Sequence, residues 1–108
     1  MKRFKTTVTR TDEYIIEIDE NVINEEFMED FSRYFFDART LEEHAENIAQ
    51  YRVRFGEGFI EGYGRPLQNG NRPIWSHEDE KLQEAINIIT VREDNDCEVE
   101  VEEIWKQK

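Results

Sequence analysis

Four groups of residues in this sequence carry the side chains or backbone freedom that chemistry needs. They are two histidines, one cysteine, a glycine-rich stretch and an acidic cluster near the end. Cys97 would need a histidine base and a polar setting to act as a nucleophile. Its alternation with Val99 and Val101 instead places it among inward-facing strand residues, where cysteine behaves as a small hydrophobe. His44 stands with Glu43 and Glu46 on one predicted helix, but the HExxH spacing of a zinc site is absent, and His44 reads as a surface or capping residue. His77 falls in the first turn of a short predicted helix and reads the same way.

The glycines at 56, 58, 62 and 64 resemble a phosphate loop only superficially. A P-loop carries Gly-Lys-Ser/Thr ahead of a helix, whereas this stretch follows a predicted helix, has no lysine and holds Glu57 and Glu61, which repel phosphate. Tight turns and aromatic packing explain it better. Asp94 and Asp96 lack the central glycine of a calcium-binding loop and read as a hydrated turn. No nucleophile, base or metal cluster can be assembled, so the expectation is a protein that is not an enzyme and needs no cofactor or metal.

The elements that would position these groups follow from periodicity. Over residues 4–19, Phe4, Thr6 and Val8 and then Tyr14, Ile16 and Ile18 alternate with mostly polar neighbours, which predicts a β-hairpin around Thr11, Asp12 and Glu13. Asn24 is placed to cap a first helix, with Ile23 and Met28 as a hydrophobic staple and Phe27, Phe31, Tyr34 and Phe35 along one stripe. Thr40 to Glu43 matches a capping box opening a second helix, which Gly56 should end. Residues 56–76 read as a long ordered loop or irregular strand pair, and Ser76 could cap a short third helix through Leu82. Residues 86–102 then predict a second hairpin, turning at Glu93 to Asp96, with Cys97, Val99 and Val101 on a packed face and Glu98, Glu100 and Glu102 on the other. The order β-β-α-α-(α)-β-β predicts an α+β fold: an antiparallel sheet of about four strands with two or three helices on one face.

The chain has 108 residues, which fits one domain over 1–108, and its seven Phe, four Tyr and two Trp supply a core that acidic disordered tails lack. A single cysteine forbids an intrachain disulfide, no apolar run approaches the ~18 residues of a membrane span, and the start has no apolar signal core. These features predict a cytoplasmic protein. The net charge of −12 exceeds the roughly 2–8 that keeps a small domain soluble. Duplex DNA is a poor partner for such a chain, and a basic protein a good one.

The charge is also uneven. Residues 1–11 hold four basic residues and no acidic one, residues 12–46 hold thirteen acidic and two basic, and residues 93–108 hold seven acidic and two basic. An acidic surface on a rigid scaffold can occupy a basic groove meant for nucleic acid, with aromatic anchors adding lasting affinity. The candidate carboxylates are Glu25, Glu26, Glu29, Asp30, Glu42, Glu43, Glu46, Glu98, Glu100 and Glu102, and the candidate anchors are Phe59, Tyr63 and Trp75. The competing explanation is a solvated helix face and loop aromatics that close a core.

Small size, acidity, one cysteine and an α+β pattern together resemble, at the level of class, the small inhibitors carried by bacteriophages and mobile elements. Some of these block restriction enzymes or CRISPR effectors, and some do so as DNA mimics. The resemblance implies an anti-defence inhibitor or adaptor bound to a basic, nucleic-acid-handling protein, but it rests on composition and transfers no residue roles. The 14 basic residues, several at the start, depart from the most extreme mimics. An immunity or antitoxin-like partner of a toxin, and a self-associating structural protein of a phage or mobile element, are the other expectations.

Overall fold

The helices begin where local chemistry says they should. The structure, a computed structural model, describes residues 1–73, 81–94 and 97–105. Asn24 accepts a hydrogen bond from the Phe27 N–H at 3.0 Å and opens α1 (Glu25–Tyr34). Thr40 accepts from the Glu43 N–H at 3.2 Å and opens α2 (Leu41–Phe55), while its hydroxyl donates to the Glu43 carboxylate at 3.1 Å. Gly56, at φ 75°, ends α2 in a backbone region that favours glycine.

The strands are β1 (Arg3–Thr9), β2 (Glu13–Ile18), β3 (Pro66–Gln68), β4 (Gln83–Arg92) and β5 (Glu98–Ile104). Their pairing corrects the sequence expectation, because neither hairpin forms. β1 pairs antiparallel with β5, from Arg3 opposite Ile104 to Thr9 opposite Glu98. β2 pairs antiparallel with β4, and β3 joins the other edge of β4 in parallel, giving the order β2-β4-β3. The physical reason lies at residues 10–12, which lack the Asn-Gly or Gly-X pair of a tight reversal. There Arg10 and Asp12 hold each other at 2.6 Å, and the Thr11 N–H donates to Asp94 at 3.1 Å. The early and late strands therefore run alongside each other instead of folding back on themselves.

The class is α+β, with five strands in two sheets and two helices among the described residues. The expected third helix falls mostly on 74–80, outside the described residues, and Lys81 and Leu82 are not helical. Within 56–73 the irregular strand expectation takes a definite form: a turn closed by Ile60 and Gly64, then β3, then a bridge between Gln68 and Asn71.

The β2-β4-β3 sheet and both helices form a packed body. Ile16 and Ile18 of β2 face Ile88 and Ile86 of β4, and this face meets Met28 and Phe31 of α1, Ile48 of α2, and Ile60 and Tyr63 of the turn. Gly62, at φ 91°, lies so close to Phe31 that an added Cβ would sit 2.5 Å from the ring. The β1-β5 ribbon joins no such core: six of its seven paired positions on β5, and all of β1, are exposed. It draws the molecule out to 60 × 31 × 22 Å with a radius of gyration of 18.5 Å. A compact chain of this length has about 13 Å.

Candidate partner-binding surface

All ten candidate carboxylates stand exposed: four on α1, three on α2 and three on β5. Burial of the apolar stripes against the sheet forces this, since residues between the stripes of a helix must face water. On α1, Arg33 approaches Glu29 at 3.6 Å and Asp30 at 3.8 Å. Among the described residues, no other ion pair involves any of the ten. The ten are thus spread over two helices and one strand of the ribbon.

The ribbon separates its chemistry by face, because directly opposed residues of an antiparallel pair share a side. One side carries Glu98, Glu100 and Glu102 opposite Thr9, Thr7 and Lys5. The other carries Phe4 opposite Glu103, Thr6 opposite Val101, and Val8 opposite Val99. Val99 and Val101 are 58% and 63% exposed, which corrects the expectation that they line a packed face. Cys97 precedes β5, half-buried, with its sulfur 3.9 Å from the Asp94 carbonyl.

The three candidate anchors part company. Phe59 is 59% exposed and remains available to a partner. Tyr63 is buried in the core, so it is no exposed anchor. Trp75 lies outside the described residues.

Tyr63 instead belongs to a polar cluster that sequence reasoning missed. His44, expected at the surface or a cap, is fully buried. Its Nε2–H donates to the Ala38 carbonyl at 2.9 Å, which leaves Nδ1 to accept from the Tyr63 hydroxyl. The Asn47 amide donates to the same hydroxyl at 3.2 Å. Burial pushes the His44 proton affinity below its ordinary value, outweighing the carbonyl contact that raises it. The neutral ring is a satisfied core group with no substrate-facing edge. The spacing of His44, Ile48 and Arg52 at four-residue intervals was the available signal, since it sets all three on one helix face.

Arg52 is the second omission. Buried at the base of the ribbon, it donates to Glu93 at 2.9 Å, to Gln68 at 3.2 Å and to Glu57 at 3.5 Å, and lies 5.4 Å over the Tyr14 ring. It ties α2 to the point where β4 leaves the body. Beside this junction a hollow of about 560 Å³ is lined by Asp12, Glu13, Tyr14, Val53 and Arg54. Among the described residues no group of three or more His, Cys, Asp or Glu could hold a metal ion, and no helix is long and apolar enough to cross a membrane. Comparisons with protein families, characterised proteins and solved structures find no match to this chain.

Proposed function

We propose that the protein is an acidic inhibitor or adaptor that binds a basic, nucleic-acid-handling protein. The observation that carries this is the exposure of all ten candidate carboxylates, of which only Glu29 and Asp30 form an ion pair among the described residues. Uncompensated carboxylates repel one another and cost stability, so they are best understood as complements to positive charge elsewhere. On the ribbon, alternate β5 residues recur at about 6.6–6.8 Å. That is of the same order as neighbouring phosphates on one nucleic-acid strand. Lys5 opposes Glu102, but Glu100 and Glu98 face only Thr7 and Thr9. A basic groove that accepts nucleic acid could accept this edge, with Phe59 as the aromatic anchor.

The test is retention of partners from a bacterial lysate at low and moderate salt, followed by competition between the protein and nucleic acid for whatever enzyme is recovered. Screening should weaken the complex as salt rises. Changing Glu25, Glu26, Glu29 and Asp30 together to Lys, or Glu98 and Glu100 to Lys, should lower affinity at least about tenfold through the lost charge complementarity. Unchanged affinity in both folded variants would sink the proposal, as would a partner whose nucleic-acid site stays open in the complex.

A further inference from the structure

The end of α1 presents aromatic surface that core packing does not account for. Tyr34, Phe35 and Phe36 follow one another there, exposed at 74%, 45% and 50%. Phe27, Phe31 and Phe35, at four-residue intervals, set their rings in a row along one side of the helix. Phe27 and Phe31 lie 6.2 Å apart between centroids with 19° between their planes, and Phe31 and Phe35 lie 4.9 Å apart with 30°. A hollow of about 160 Å³ is lined by Phe27, Asp30, Phe31, Tyr34, Phe35 and Gly62. Glycine keeps it open, because a Cβ at 62 would sit 2.5 Å from the Phe31 ring and 3.1 Å from that of Phe35. Small-molecule pockets run to about 300–1,000 Å³, so this one is sized for the head of a single side chain.

We propose that this hollow receives the guanidinium of an arginine from the basic partner, an inference that rests on reading the protein as an acidic binder. Aromatic faces carry negative potential and attract a cation placed over them. Asp30, at the same hollow, adds a full negative charge. An apolar side chain would strip water from that carboxylate without replacing it, and an anion would be repelled. Arginine suits the site better than lysine, because its head is planar, stacks on rings, sheds water more readily and can meet a carboxylate with two N–H groups.

The surrounding charge favours the same occupant. α1 carries four carboxylates and one cation, Arg33. Arg33 stands 3.8 Å from Asp30 and 3.6 Å from Glu29, exposed and too distant for a hydrogen bond, so it neutralises either only weakly. Glu61, next to Gly62, is exposed, and Arg39 is held by Asp37 at 2.8 Å. Behind Phe31 lies the His44 ring, which is neutral.

A second hollow, of about 200 Å³, adjoins Phe36, which meets Phe31 edge-on at 5.1 Å. Glu43 and Glu46 line it together with Asn47 and Gln50, and no cation does. It gives a neighbouring arginine of the same segment a ring and two carboxylates. The partner chemistry is therefore an arginine-bearing segment laid across the end of α1 and the start of α2.

The experiment is an NMR titration of the full chain with the blocked peptide acetyl-Gly-Arg-Gly-Arg-Gly-amide, beside versions carrying citrulline or lysine in place of arginine. Saturable shifts are expected at the Gly62 N–H and at the rings of Phe27, Tyr34 and Phe35. The citrulline peptide, alike in shape but uncharged, should bind at least about tenfold more weakly, and the lysine peptide more weakly than arginine. Tyr34→Leu keeps an apolar side chain at an exposed position but loses the ring, and should weaken binding about two- to fivefold, while Tyr34→Phe should not. Asp30→Asn should weaken it as well.

Shifts spread evenly over the acidic surface, with none at Gly62 or the rings, would overturn the proposal as mere charge attraction. Equal binding of the citrulline peptide, or a Tyr34→Leu variant that binds as the native chain does, would overturn it too. Those results leave the acidic-binder reading to its own test, because the Glu98 and Glu100 changes do not touch this hollow. A peptide seated in the hollow, with no nucleic-acid enzyme recovered from lysate, would uphold the arginine site and sink that reading alone.

Discussion

The body and the ribbon are made from the same kind of strand, yet only one is buried. In β2, Tyr14, Ile16 and Ile18 alternate with more exposed neighbours and pack against Phe31 and Ile48. In β5, Val99 and Val101 alternate with glutamates just as regularly, yet among the described residues they meet only the opposed positions of β1 and stay exposed. Period-2 alternation states that one side of a strand wants cover, and does not name the cover. The helices between β2 and β4 supply it for the body. Among the described residues neither helix packs on the ribbon, and its apolar side stands exposed.

The comparison breaks first, and hardest, in the body. Ile88→Ala removes a fully buried side chain from the face opposed to the helices, and should cost about 2–4 kcal/mol through lost burial and the cavity left behind. Chemical denaturation measures this directly, and a loss below about 1 kcal/mol would mean that the body collapses around the gap as freely as the ribbon would.

A smaller effect tests how tightly the turn is pressed onto α1. Gly62 combines a φ of 91° with an approach that would put a Cβ 2.5 Å from the Phe31 ring. Gly62→Ala should cost about 1–3 kcal/mol through backbone strain and displaced packing. Gly58→Ala is the contrast, since nothing lies within 4 Å of its added methyl. Equal thermal shifts in the two variants would contradict the tight contact.

His44 sharpens the difference through pH. In the body it is buried and neutral, and its proton affinity lies below the ordinary value of 6.5. The unfolded chain therefore binds more protons than the native one as pH falls below 6.5, so stability should decline there and be constant for this group above it. Denaturation midpoints between neutral and mildly acid pH report the slope, and His44→Gln should flatten it. An unchanged slope in that variant would assign the acid sensitivity to carboxylates instead.

Much of the local structure was legible because its causes are local. Asn24, Thr40 and Gly56 mark helix ends through hydrogen bonds and backbone angles that involve only near neighbours. Strand pairing was not legible, because β1 with β2 and β1 with β5 satisfy the same alternation, and only the whole chain path selects between them. Tyr63 was read as an aromatic loop anchor, and His44 as a surface or capping residue because it lacks the spacing of a zinc site. Their hydrogen bonds to each other, to Asn47 and to Ala38 are what permit burial, and those partners come from separate segments. The exposed carboxylates of α1 and α2 were the legible part of the candidate surface, since a helix that buries one stripe must expose the rest.

The smallest expected effect concerns the ribbon itself. Val99→Ser in dilute protein should change stability by no more than about 0.5 kcal/mol, since the side chain is already 58% exposed and loses little burial. The same substitution in the body, at Ile88, would bury a hydroxyl and leave a cavity together. A cost above about 1 kcal/mol in dilute protein would mean that the ribbon folds back onto its own body in solution. Body and ribbon would then differ in degree of burial rather than in kind.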